Sequence, residues 1–187
     1  MKLGVNLASL LLAAGSVVAQ DDYIEINWDW SGSGKIYLVE GYGTWRAQYV
    51  TAVTGIPVGC LSEDGKLVAD EGDNCAGFYV VDGDEVRTKN NNYLCGYADY
   101  FSCVGNDDVP GLTTLWTYVV PPPTYIAGYI PGVDSTAIFT WFVDHTPANA
   151  TEAIPLEFRL PVNPDDPSTN PPPGASTFGV VMQWIPQ

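Results

Sequence analysis

The chain has 187 residues, 22 of them acidic against 7 basic, for a formal net charge of −15. This balance excludes nucleic acid and anionic membrane surfaces as natural partners, because both need clustered Lys and Arg. Here Lys35, Arg46, Lys66, Arg87, Lys89 and Arg159 are scattered along the chain, whose 46% hydrophobic content suffices for one domain with a real core.

The first element reads as an export signal over residues 1–19. Lys2 supplies a positive start, and Leu3 to Ala14 is apolar apart from Gly4, Asn6 and Ser9. Val17 and Ala19 then occupy the −3 and −1 positions of a cut before Gln20. A membrane span needs about 20 continuous apolar residues, so none is expected here. Nor is one expected later, where "GLTTLWTYVV" is short and runs into "PPP". The expectation is a secreted, extracellular protein whose residues 20–187 form a single all-β domain.

Strand periodicity dominates that domain. In "YIEINWDW", Ile24, Ile26, Trp28 and Trp30 alternate with Glu25, Asn27 and Asp29, the period of a half-buried strand. "KIYLVEGY" and "TWRAQYVTAV" follow across Gly41 and Gly43 and predict a hairpin. Further strands are expected at "GKLVA", "GFYVVD", "NYLCGY", "LTTLWTYVV", "TYIAGYI", "STAIFTWFVDH", "PLEFRL" and "FGVVMQWI". Ala137, Phe139, Trp141 and Val143 share one face, as do Phe178, Val180, Met182 and Trp184. Turn clusters such as "SGSG", "EDG" and "KNNN" recur at short intervals, and no 3.6-residue apolar stripe is sustained. The pattern predicts one antiparallel β-sandwich or jelly-roll-like domain with two disulfides. The Pro-rich stretch 161–177 reads as a surface loop before the final strand.

Cys60, Cys75, Cys95 and Cys103 are even in number, and in an exported chain they read as two disulfides. Three pairings exist, and the short loops favour Cys60–Cys75 with Cys95–Cys103. No metal site is expected from these thiols. Asn149-Ala150-Thr151 is an N-glycosylation sequon in the loop "HTPANATEA". No motif calls for a cofactor. Ca²⁺ is the one ion to weigh, because Glu63, Asp64, Asp70, Glu71, Asp73, Asp82, Asp84 and Glu85 offer hard oxygens in two loops. Neither loop has the spacing of a helix–loop–helix calcium site, and Asp-Gly pairs are also good turns.

The stretch "GKIYLVEGYGTW" resembles the catalytic-strand segment of the small secreted jelly-roll xylanases over about a dozen residues. The resemblance implies a jelly roll with a catalytic carboxylate on this strand. The nucleophile position of that pattern falls on Lys35, however, and an ammonium group cannot be a glycosyl nucleophile. A glycosidase of another kind would need two carboxylates, with Glu25, Asp29, Glu40 and Asp144 as the candidates. His145 is the only histidine and no G-x-S-x-G elbow exists, so a serine triad is not expected. Strand alternation sets Asp144 and His145 on opposite faces. A copper-dependent oxygenase would need a histidine at the cut, where Gln20 stands.

Six Trp, eleven Tyr and six Phe are the strongest functional signal. Flat rings stack on the C–H faces of sugars, and nearby acids accept from hydroxyls. Tyr42, Trp45, Tyr97 and Tyr100 are the expected ligand-binding residues, with Tyr125 and Tyr129 also expected at the surface. The function expected is a small secreted non-enzymatic protein acting at a cell surface or wall, possibly binding carbohydrate. Its partner would be a cell-wall polysaccharide or an extracellular protein. A jelly-roll glycoside hydrolase and a protein-binding effector or inhibitor are the alternatives.

Overall fold

The computed structural model describes residues 25–27, 31–43, 50–81, 85–105, 116–120, 124–129, 137–138, 140–158 and 178–187. The export signal 1–19, Asp29, Trp45, Asp82, Asp84 and the loop 161–177 lie outside the described residues. Among those described, every regular element is a β-strand and every strand pairing is antiparallel.

The two central strands are β2 (Gly32–Gly43) and β14 (Phe178–Pro186), paired from Glu40↔Val180 to Gly34↔Pro186. Their apolar alternation explains the pairing. Ile36 and Leu38 stand opposite Trp184 and Met182, and all four are buried in one core. The other face is covered too, since Val39 and its partner Val181 are buried.

Both central strands fork. On the outer edge of β14, β12 (Thr140–Val143) takes residues 178–181, and β10 (Thr124–Tyr129) takes residues 182–184. Beyond β10 lie β9 (Trp116–Val120), then β1 (Glu25–Asn27), with β11 (Ala137–Ile138) also on β10. On the outer edge of β2, β5 (Phe78–Val81) takes residues 32–34, and β3 (Val50–Leu61) takes residues 37–43. β5 continues into β6 (Glu85–Thr88), β7 (Leu94–Tyr97) and β8 (Phe101–Val104). The end of β3 carries β4 (Leu67–Val68) and then β13 (Ala153–Ile154).

This single sheet curls. From β8 to β12 the path runs through β7, β6, β5, β2 and β14, six steps that would span about 29 Å if flat. Yet the rings of Phe101 on β8 and Trp141 on β12 lie 5.5 Å apart. The residues after β13 complete the turn. Glu157 bridges Phe142 on one side and Tyr100 on the other. Phe101 N–H donates to Leu156 O at 2.9 Å, and Phe158 N–H donates to Asp99 O at 2.7 Å. Hydrogen bonds thus run unbroken around a ring from β12 through β14, β2, β5, β6, β7 and β8 back to β12. Trp141, fully buried, sits inside it against Tyr97, Phe101 and Phe158.

The predicted pairing forms as β2 and β3, but the expected break at Gly41 and Gly43 does not: both glycines belong to β2, opposite Ala52 and Val50, and β3 runs on well past Val53. It carries Pro57, which stands opposite Val39 where the register shifts, a position that tolerates a missing N–H. At Gly59 a Cβ would meet Val68 O at 2.3 Å, so β4 can approach only a glycine.

The structure joins Cys60 to Cys75 and Cys95 to Cys103, the pairing that short loops favoured. The first ties the end of β3 to the chain entering β5. The second links direct register partners on β7 and β8, with Cα atoms 4.0 Å apart. The "KNNN" turn forms between β6 and β7. Buried Thr88 accepts from Tyr93 N–H through its hydroxyl, and Asn92 takes the left-handed φ of 57°.

Candidate functional site

The ring closure leaves a groove on its outer side. Alternation sends Trp141 and Val143 into the core, and with them Leu156 and Phe101. The intervening residues face outward. Because Glu157 is in register with both Phe142 and Tyr100, these three side chains form one row, with Asp144 two residues beyond Phe142. Tyr100, Phe142, Asp144, Pro155 and Glu157 line an open groove of about 170 Å³. Phe142 is only 2% exposed and forms the apolar floor, while Tyr100 is 53% exposed at the rim. Backbone bonds fix the geometry: Phe142 N–H donates to Glu157 O at 3.0 Å and Glu157 N–H to Phe142 O at 2.8 Å.

The groove opens onto a charged clamp. His145 Nδ1 lies 2.7 Å from Asp144 Oδ1, and its Nε2 lies 2.8 Å from Glu152 Oε1. Glu152 also accepts from Ala148 N–H at 2.6 Å. The Glu152 hydrogen bond is the chief cause that raises the His145 pKa above 6.5; partial desolvation opposes it and Asp144 adds to it. The Ala148 amide is the main cause that lowers Glu152 below 4.5, with His145 second. The expectation that Asp144 and His145 point apart is corrected here. β12 ends at Val143, and residues 144–145 lie in a bend, where strand alternation no longer applies.

The expected site residues scatter. Asp144 and Tyr100 come together in the groove. Glu40 is half-buried on the core-facing side of β2, opposite Val180, and is not part of the groove. Glu25 lies on β1 at the far end of the strand order. Tyr42 lies in β2 opposite Thr51. Tyr97 and Tyr125 are not surface residues: they are 4% and 8% exposed. All four residues of β7 are buried, and Tyr97 meets Trp141 edge-on at 5.5 Å. Glu157, Phe142 and Pro155 were not singled out from sequence. The signal for Glu157 was present in "PLEFRL", where inward Leu156 and Phe158 leave it facing out.

Three carboxylates of the acidic loops, Glu63, Asp64 and Glu85, each have a partner of their own. Asp64 pairs with Lys66 at 2.7 Å and accepts from Ser62 Oγ at 2.5 Å. Burial pushes its pKa upward, but these bonds and the Lys66 charge outweigh that and hold it below 3.8. Glu63 accepts from Asn91 N–H at 3.0 Å, and Glu85 pairs with Arg87 at 3.1 Å. The Asp70 carboxylate lies beside Cys60 and Cys75, whose sulfurs are joined to each other.

Fold and site together define an all-β, disulfide-linked chain with a curled antiparallel sheet and an acidic groove rimmed by one exposed aromatic ring. No known protein family, no curated protein and no solved structure matches it. No helix among the described residues is long and apolar enough to cross a membrane.

Proposed function

We propose that this is a small secreted protein that binds carbohydrate at a cell surface or wall through the Tyr100 groove, without catalysing a reaction. A jelly-roll-like wrapping of the sheet belongs to the same proposal. The observation that carries it is the row Tyr100–Glu157–Phe142 with Asp144 alongside: one exposed ring beside two carboxylates over an apolar floor. A pyranose stacks its C–H face on such a ring and donates its hydroxyls to such acids. The volume is below the ~300 Å³ of a typical enclosed ligand pocket. It suits one sugar unit of a polymer that continues across the surface. The two disulfides are compatible with an extracellular setting.

A second reading is kept because the groove carries two carboxylates: a glycoside hydrolase using Asp144 and Glu157. One experiment separates the two. The purified protein is incubated with insoluble chitin, cellulose, xylan and β-glucan, and retention and released sugar are measured in the same tubes. Retention on one polymer, lost in Tyr100→Ala and without sugar release, supports the binding reading. Release abolished in Glu157→Gln supports the hydrolase. No retention and no release on any of the four refutes both for these polymers and leaves a protein partner.

A further inference from the structure

We propose that Asn149 is a modification site that accepts an N-linked oligosaccharide, presented on a loop whose own hydrogen bonds leave its amide nitrogen unused. The sequon Asn149-Ala150-Thr151 lies between β12 and β13, with Asn149 exposed. Asn149 Oδ1 accepts twice, from Thr151 N–H at 3.0 Å and from Thr151 Oγ1 at 2.7 Å. Its backbone oxygen accepts from Glu152 N–H at 3.2 Å. Every one of these bonds runs through an oxygen. Among the described residues, Asn149 Nδ2 donates to nothing.

The loop is held on both sides. Glu152 ties back to Ala148 N–H and His145, and Asn74 Nδ2 donates to Ala150 O at 2.7 Å. Asn74 is next to Cys75, so the Cys60–Cys75 disulfide anchors the strap that holds the sequon. Sugar on Nδ2 therefore displaces no native contact and projects into solvent.

The donor is an oligosaccharide esterified to a lipid diphosphate, used by a membrane transferase in the secretory lumen. Nδ2 forms a bond to the anomeric carbon while the bond from that carbon to the diphosphate oxygen breaks. Its electron pair leaves with the lipid diphosphate, and Nδ2 releases one proton. No oxidant or reductant takes part. The proposal rests on the export reading of residues 1–19 and is independent of what the groove binds.

The full chain is translated with membrane vesicles that carry the transferase and its lipid-linked donor, then treated with protease outside the vesicles. The expected result is a protease-protected chain with one mass increment, removed by an amidase that leaves Asp at position 149. Asn149→Gln and Thr151→Val lose the increment, and Thr151→Ser keeps it. A protected chain without the increment overturns the site itself, as does an increment that persists in Asn149→Gln. A chain digested by external protease overturns the export reading and the site with it. Glycosylated protein and the same chain made without the transferase, both with their disulfides formed, should unfold at nearly the same urea concentration, and a large loss of stability on glycosylation overturns the claim that Nδ2 has no structural task.

Discussion

Trp141 should be the most costly single side chain to remove. It is fully buried and touches three rings from separate parts of the ring closure: Tyr97 at 5.5 Å, Phe101 at 5.5 Å and Phe158 at 6.2 Å. A buried tryptophan removes about 200 Å² from water, worth about 5 kcal/mol at ~25 cal/mol per Å². Residual burial in the unfolded chain lowers this to about 4 kcal/mol. Trp141→Ala therefore falls in the ~3–5 kcal/mol class of large aromatic truncations. Trp141→Phe keeps one ring against the same neighbours and should cost roughly half as much on the same area scale. Equilibrium urea unfolding followed by near-ultraviolet circular dichroism, with both disulfides intact, measures both. A Trp141→Ala loss below about 1 kcal/mol, the size of an ordinary point substitution, refutes the claim that one core is enclosed by the curled sheet.

The remaining predictions test other parts of the structure. Raised His145 stabilises the folded loop fully below pH 6.5 and loses that contribution as pH climbs through its folded pKa; lowered Glu152 contributes above pH 4.5 and loses it as pH falls through its own. Protection of the Ala148 amide from hydrogen exchange, corrected for intrinsic rate, should therefore be greatest between 4.5 and 6.5, and an unchanged profile in Glu152→Gln would refute the clamp. Replacing Cys60 and Cys75 by Ser should cost about 3 kcal/mol, and replacing Cys95 and Cys103 about 2.5 kcal/mol, from loops of 15 and 8 residues; urea unfolding checks the order. Gly59→Ala should cost at least ~1–3 kcal/mol by overpacking against Val68 O, and a neutral result would refute the close approach of β4. Tyr100→Ala should leave the urea midpoint nearly unchanged, since its ring is more than half exposed, whereas Tyr97→Ala should cost about 3 kcal/mol.

What could be read before folding was whatever repeats at short range. The alternation of Val180, Met182 and Trp184 predicts one face of β14, and those side chains are buried in the core. Short loops pointed to the observed disulfides because Cys60–Cys75 and Cys95–Cys103 close within single hairpin-sized segments. The failures have a common cause. Tyr97 and Tyr125 lacked clean alternation and so read as exposed, yet all four residues of β7 are buried, with Tyr97 packed on Trp141 and Phe158 across the closure, and burial on both faces of a strand erases the period of two. β3 crosses Pro57 because its register shift absorbs the missing donor, and no local rule announces a bulge. Asp144 meets His145 because β12 stops one residue earlier, and a strand end is the feature that residue patterns locate least well.

The groove was invisible for a stronger reason: it is made by the closure. Its residues come from 100, 142–144 and 155–157, stretches that no local window joins. Glu157 makes one bridge to each neighbour, and Pro155, two residues before it, has no N–H to extend a ladder. The seam is therefore short, and of the outward side chains around it Phe142 is covered while Tyr100 stays more than half exposed. The same two bridges that aim Phe101 and Trp141 inward aim Tyr100, Phe142 and Glu157 outward. Core and groove are thus two faces of one hydrogen-bonded contact, so the chain cannot close its sheet without also placing an exposed aromatic ring beside two acids.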